Sequence, residues 1–583
     1  MSPSDQHAPD NAIRWSTYPH NRTVLAITHN TTAATRLFDT LSLLAPDPRI
    51  RIDFTRMGSS VFDTDASEFL GSRGTREIPW KQALLGEYDL AVSASYGGKL
   101  HKVRAPLIVV PHGMGYNKYL QKNKEQRTKN KEQRTKNKEQ RTKNKEHSVF
   151  GLSPDWLLHK GRVVPSLIVL SHHEQRERLF RDCPQAVAKS LVAGDICYDR
   201  LCASMPLRPS YRRAFGLGPR QRLVLISSTW GPDSLLASEP DLPRRLAAAL
   251  PADEFRIALA IHPNIRSYHS RWQVEAHLDD AARAGVHLLR GVDDWRAAVV
   301  AADLAVSDHG SVGFYSTALG NPLLLAAAPE HTVDPDSPIA QLLRAAPRLD
   351  GTADIEAQIR RVLTAHDPHR YAAITALTTS EPAAGAPLLR SAMYRMLRLP
   401  EPTEPPDPAV LPIPAAPLRD ADAYLVHVRI GSERSATITR YSAERLLTDE
   451  RIEPDGHLVV GVDGPRGRWL ASADVLIGRP GGATAAWIAD TLRRLPNCVI
   501  AAAPTEAGHW LLGNRTTVVR VRAPDGGGHL FASVAYRLHG RGAPLEAIAG
   551  SWRIRCGGTD YRFSAEATRA ETTAADSVKH SSS

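Results

Sequence analysis

Short, unbroken apolar runs alternate with helix-length amphipathic stretches, and the alternation occurs twice along the chain. In the first series the runs are Arg22–Thr28 (RTVLAIT), Ile50–Phe54, Asp89–Ser93 (DLAVS), Leu107–Val110 and Leu167–Ser171. In the second they are Arg222–Ser227 (RLVLIS), Arg256–Ile261 (RIALAI), Gly285–Leu289, Asp303–Ser307 (DLAVS) and Pro322–Ala327. Runs this short without a polar face read as strands covered on both sides. The polar loop and amphipathic stretch His29–Leu44 and a helix opening at His172 separate strands of the first series. Leu242–Leu250, Ser267–Ala284, Trp295–Ala301 and Gly313–Leu319 read as helices of the second. Strands alternating with helices predict mostly parallel sheets, hence two doubly wound Rossmann-type domains of similar size, 20–200 and 201–395. Facing each other, they would bind ligands at the carboxyl ends of their strands.

Residues 396–419 are proline-rich and read as a semi-extended linker. Beyond it Tyr424–Ile430, His457–Val462, Val475–Ile477, Val499–Ala502 and Thr517–Val521 read as strands of a smaller α/β or β-rich domain, 420–565, taken as α/β. The polar ends, 1–19 and 566–583, are expected to be disordered.

The net charge of +11 is concentrated in residues 122–146, three copies of KNKEQRT and a partial fourth, which carry eight Lys, three Arg and four Glu. No repeat position is apolar, which excludes a coiled-coil seam. Glu125–Lys129, Glu132–Lys136 and Glu139–Lys143 have the spacing of helix-stabilising ion pairs. The insertion therefore reads as a solvated surface segment, with contact to an anionic acceptor or membrane surface as its functional alternative. With the repeat removed the chain carries only a small positive charge, so nucleic acid is an unfavoured partner. No apolar run is long enough for a membrane helix, and the N-terminus has no basic segment leading into an apolar one. Five scattered cysteines without a C-x-x-C pattern exclude a disulfide framework and a zinc ribbon. A reduced, cytoplasmic protein without a metal site is expected, with the repeat as a possible contact to the inner membrane face.

The residues with chemistry follow strands. Val109–Lys118 (VVPHGMGYNK) ends a strand in Pro-His-Gly and places His112 where an imidazole can serve as a base. His262, in Ile-His-Pro, ends a strand of the second series, and Ser227–Trp230 (SSTW) ends another. Asp308-His309-Gly310-Ser311 follows DLAVS and opens a helix, a combination suited to phosphate or to plain helix capping. No P-loop, G-x-G-x-x-G, G-x-S-x-G or H-E-x-x-H pattern occurs.

In order, these loops resemble those of the CDP-glycerol glycerophosphotransferase family, the teichoic-acid polymerases and primases, and more broadly GT-B glycosyltransferases. The resemblance rests on His112–Gly113, the ends of Gly194–Asp199, Thr229–Trp230, His262–Pro263, Ser307-Asp308-His309-Gly310-Ser311 and Asn321–Pro322. It implies a GT-B-like fold and a CDP-alcohol substrate, with no separate cofactor. His112 and His262 would be the catalytic pair, His112 taking the acceptor proton. Thr229, Ser307, Asp308 and Ser311 would line the donor site, and Lys118 would meet acceptor or phosphate. The acceptor would be a polyol-phosphate, a glycan or a small molecule. The chain departs from the family at Lys118, one residue further from its histidine than usual, at His309–Gly310 in place of Tyr-Ser, and in lacking Pro-Arg between Gly194 and Asp199. These departures leave open CDP-glycerol, another CDP-polyol or a UDP-sugar as donor, and also a non-catalytic nucleotide- or partner-binding protein.

Overall fold

The computed structural model describes residues 17–18, 20–58, 63–119, 148–291, 293–448, 455–463, 467–524 and 527–568. The heptad repeat and most of both polar ends lie outside these residues. Two wholly parallel sheets carry the first two-thirds of the chain. The first has seven strands in the order Glu77–Pro79, Ile50–Arg56, Arg22–Thr28, Leu90–Ser93, Leu107–Val109, Leu167–Leu170, Ser190–Val192. The second has five, in the order Val286–Leu288, Phe255–Ile261, Arg222–Ser228, Leu304–Ser307, Leu323–Leu325. In each the order reverses beside the first strand, so each has a switch point, between Arg22–Thr28 and Leu90–Ser93 and between Arg222–Ser228 and Leu304–Ser307. Ligands of open α/β sheets bind at that crevice.

The central strands are the apolar runs of the sequence, buried on both faces by flanking helices. The edge strands Glu77–Pro79 and Ser190–Val192 were not expected; three residues give too short a pattern to separate from a loop. The expected helix Ser267–Ala284 is broken into Pro263–His269, Arg271–His277 and Asp279–Arg283. The first break is at Ser270, whose φ of +65° no helix accommodates. Helix Gly385–Leu397 returns to the first sheet and packs Leu389, Met393 and Leu397 into its core, so the chain crosses between the two bodies twice.

The proline-rich segment lies along the body. Leu411 and Leu418 are buried with the second sheet's helices, and Leu411 O accepts from Tyr211 at 2.8 Å.

The C-terminal region is a closed nine-stranded barrel rather than the expected small α/β domain. Three parallel strands, His457–Gly461, Val475–Ile477 and Ile500–Pro504, are joined by helices, as an α/β reading requires. Closure comes from Ala423–Ile430, Ser435–Ser442, Trp510–Gly513, Val518–Arg522, Gly550–Cys556 and Thr559–Thr568. Several of these alternate buried and exposed residues, as in Gly550–Cys556, and offer no apolar run. Helix Gly528–His539 fills the barrel: Leu530 to Ala535 are all buried, against inward residues of all nine strands.

Candidate active site between the two sheets

The loop after Leu107–Val109 crosses from the first sheet to the second. Met114 is completely buried in the second body's core, and its N–H donates to Ser311 Oγ at 3.1 Å. A Cβ on Gly113 would lie 2.8 Å from the same oxygen, so this loop can approach the start of helix Ser311–Ala318 only with glycine there. Further on, backbone pairing seals the junction: Asp334 N donates to Asn117 O at 2.8 Å and Tyr119 N to Thr332 O at 2.9 Å. Between these points Lys118 Nζ donates to Thr229 Oγ1 at 3.0 Å. His112, Lys118, Thr229 and Ser311 are thereby gathered at one junction.

His262 stands at the end of Phe255–Ile261, and its Nδ1 accepts from Asn264 N at 3.1 Å. In the neutral ring that contact puts the proton on Nε2, which is 3.5 Å from Thr32 Oγ1 at the start of the first-sheet helix Thr31–Leu41. The ring of Trp230 lies beside it, centroids 6.2 Å apart. His262 therefore faces the first body's switch point with a donor.

Three imidazoles and one ammonium share this poorly solvated space. Burial, then Lys118 and His112, push His262 down to about 3. Burial, Arg36, Lys118 and His29 push His112 down to about 4, opposed by a hydrogen bond from its ring to the Ala94 backbone. Burial, Lys118 and His331 push His309 down to about 3. Lys118 is itself pushed down to about 8 by burial, with only Asp308 opposing. All three rings are neutral at pH 7, and the space is short of negative charge.

Asp308 does little to supply it. Its carboxylate accepts from Thr229 N at 2.8 Å, Leu235 N at 2.9 Å and Gly310 N at 2.9 Å, and so shapes the loop. Burial raises its pKa against those bonds. Ser307 is wholly buried, its Oγ 3.4 Å from Ser227 O and pressed against Gly313. Of the expected site residues, His112, Lys118, Thr229, His262 and Ser311 meet at the junction, whereas Asp308 and Ser307 sit behind it.

Sequence reasoning missed the charges that hold the junction. Asp39, on Thr31–Leu41, is clasped by Arg296 of the second body at 2.6 Å and by Arg200. Burial raises the Asp39 carboxyl, but Arg296, Arg36 and Arg200 bring it below the ordinary carboxylate range. Arg36 reaches Tyr315 Oη at 3.0 Å and the His112 carbonyl at 3.4 Å, and Tyr315 donates to Asp195 at 2.6 Å. Asp195 lies within the Gly194–Asp199 segment already noted; nothing in the sequence marks Arg36, Asp39 or Arg296. Among the described residues no three His, Cys, Asp or Glu side chains are grouped to hold a metal, and no helix is long and apolar enough to cross a membrane.

No family model and no curated protein matches the chain. Among solved structures it is similar to the wall teichoic acid polymerase TagF, with 11% identity over 65% of this chain and 90% of that one, at a TM-score of 0.43. It is also similar to UDP-GlcNAc 2-epimerase from Neisseria meningitidis bound to UDP-GlcNAc, with 13% identity over 64% and 99% of the two chains, at a TM-score of 0.38. A third similarity is to Alr3699/HepE of Anabaena in complex with UDP and glucose, with 13% identity over 65% and 100%, at a TM-score of 0.33.

Proposed function

We propose that the chain is a GT-B-type transferase that moves a phosphate-linked group from a nucleotide-diphosphate donor to a hydroxyl acceptor, with a CDP-alcohol as the preferred donor. The observation that carries this reading is the Lys118–Thr229 bridge, which sets an ammonium among three neutral imidazoles where the two strand-end crevices meet. A diphosphate supplies the negative charge that this space lacks. The preference for a CDP-alcohol rests on the family resemblance of the loops.

The acceptor oxygen attacks the donor's β-phosphorus, the bond to the bridging oxygen breaks, and its electron pair leaves with the nucleoside monophosphate. His112, neutral at pH 7 and held at the Ala94 backbone, takes the acceptor proton. His262 Nε2–H donates to a phosphate oxygen, and Lys118 with the helix start at Ser311 balances the growing charge. Positioning and electrostatics supply the rate, as expected for phosphoryl chemistry.

The test is thermal stabilisation of the full chain by CDP, UDP, GDP and ADP, with His112→Ala beside the parent. Ligand at 100 times its dissociation constant adds about 2.7 kcal/mol. A shift with CDP that survives in the variant, together with loss of CDP-alcohol turnover, is the expected result. A preference for UDP converts the reading to a sugar transferase. No shift with any of the four overturns it.

A further inference from the structure

The strand register of the C-terminal barrel gathers arginines on one outward face. Strand Gly550–Cys556 pairs antiparallel with Thr559–Thr568, which pairs antiparallel with Val518–Arg522. Along all three, burial alternates: Trp552, Phe563 and Val521 are buried, whereas Arg553, Arg562, Arg522, Ser551 and Ser564 are exposed. Arg553 stands directly opposite Arg562, Ser551 opposite Ser564, and Arg522 opposite Ser564 on its other side. Opposite residues have Cβ atoms about 5 Å apart, and the next outward residue along a strand is about 7 Å away. Three guanidinium groups and two hydroxyls therefore share one patch. Like charges directly opposite each other destabilise a sheet. Among the described residues the side chains of Arg522, Arg553 and Arg562 have no ion pair or hydrogen bond, and the two serine hydroxyls have no partner. The carboxylates of this face are engaged elsewhere: Asp560 pairs with Arg555 at 2.9 Å, and Glu566 stands opposite Arg520. The hydrogen bond from Arg555 holds the Asp560 carboxyl below its ordinary range, and Arg220 and Arg553 add to that. Elsewhere the same domain pairs its surface arginines, Arg494 with Asp490 at 2.8 Å and Arg537 with Asp455 at 2.6 Å.

We propose that this barrel face docks a soluble, linear phosphate polymer, with one phosphate held by the Arg553–Arg562 pair and the next by Arg522 and the two serines. A guanidinium fork meets two phosphate oxygens at once, and a neighbouring hydroxyl adds a donor. Repeated negative charge relieves the repulsion between the opposed arginines. No large apolar side chain is exposed on these strands, so the face has nothing to insert into a bilayer and no ring on which a base could stack. Recognition then rests on charge and hydrogen bonds alone, which suits a chain of phosphates without bases or acyl groups. The face takes no part in the junction between the two sheets, so the donor reading stands or falls separately.

The probe is inorganic polyphosphate, compared by calorimetry on the full chain with inorganic phosphate, an oligothymidylate and phosphatidylglycerol vesicles. Residues 122–146 also carry cations, so each measurement is repeated on a chain whose eight repeat lysines are replaced by glutamine. The test variant is Arg553→Gln with Arg562→Gln. Arg493→Gln with Arg494→Gln, on helix Ala485–Arg494, removes the same charge from another part of the domain. The test variant melts no lower than the parent, because it removes an opposed like-charge pair. With the repeat neutralised, its polyphosphate affinity falls roughly tenfold or more, the size of lost hydrogen bonds to a charged group, while the control stays within about threefold. Equal losses in the two variants reduce the effect to net charge and overturn the proposal. A repeat-neutralised chain that binds polyphosphate no better than phosphate, or that prefers the oligonucleotide or the vesicles, overturns it too.

Discussion

Two interfaces hold this molecule together, and each is built around an aspartate clasped by arginine, Asp39 buried and Asp253 partly so. Between the two sheets Asp39 is clasped by Arg296, Arg200 and Arg36. Between the second body and the barrel, Asp253 pairs with Arg440 at 2.9 Å and also accepts from Cys556 Sγ at 3.0 Å. There the Ala252 N–H donates to the Arg440 carbonyl at 2.8 Å, and Arg244 reaches across to Glu444 at 3.1 Å. The difference lies in what surrounds the aspartates. Beside Asp253 the charges are matched and closed on each other. At the junction that Asp39 helps to hold lie three imidazoles held neutral and an ammonium held down to about 8. Matched charge is what an interface needs for assembly. Unmatched positive character, held in place by matched charge one layer behind it, is what a site needs for an anionic ligand.

Breaking each clasp tests that distinction. Asp39→Ala takes away the carboxylate that Arg296, Arg200 and Arg36 share, leaving Arg296 only Asp293 and Arg36 only Asp195, and is expected to cost about 3 kcal/mol in urea unfolding, the largest single effect. Nucleotide binding should go with it, because helix Thr31–Leu41 carries both Asp39 and Thr32. Asp253→Ala should cost about 2 kcal/mol, since Arg440 is less enclosed and recovers some solvation. In that variant nucleotide-induced stabilisation is expected to survive; its loss would show that the barrel is part of the site.

The pH dependence sharpens the comparison with a smaller effect. His112, His262 and His309 have folded pKa values below the ordinary 6.5, so the unfolded chain binds more protons as pH falls below that value. Their contribution is complete above about pH 6.5 and is lost as pH falls towards 4 and then 3. Lys118→Met removes a cation that depresses all three rings and should move the acid-unfolding midpoint down by a fraction of a pH unit. An anionic ligand acts in the same direction, so binding should take up protons below pH 6.5, and on Lys118 between about pH 8 and 9. Calorimetry in buffers of different ionisation enthalpy reads that uptake directly; no uptake in either range would detach the imidazoles and Lys118 from the ligand.

The parallel sheets were legible because a strand covered on both faces is apolar along its buried middle, as in Leu223–Ile226 of Arg222–Ser228. The barrel was not, because strands such as Ser435–Ser442 and Gly550–Cys556 alternate and yield no run. Helix Gly528–His539 gave no warning that it would be enclosed on every side. In the site, strand-end loops were found because glycine, proline and histidine mark them, and His112, His262 and Ser311 came from that signal. Arg36, Asp39 and Arg296 came from nothing local, since an arginine that will be buried looks like one that will not.

The amino-acid order by itself determined the two α/β units and which loops stand at their strand ends, because burial on two faces and a change of chain direction each leave a local pattern. Only the tertiary structure decided that Lys118 meets Thr229, that Met114 enters the second core, that three imidazoles lose their charge together and that nine strands close around a helix. Those outcomes depend on residues far apart in the chain and on the removal of water between them, and desolvation is a property of the assembled junction, not of any segment that enters it.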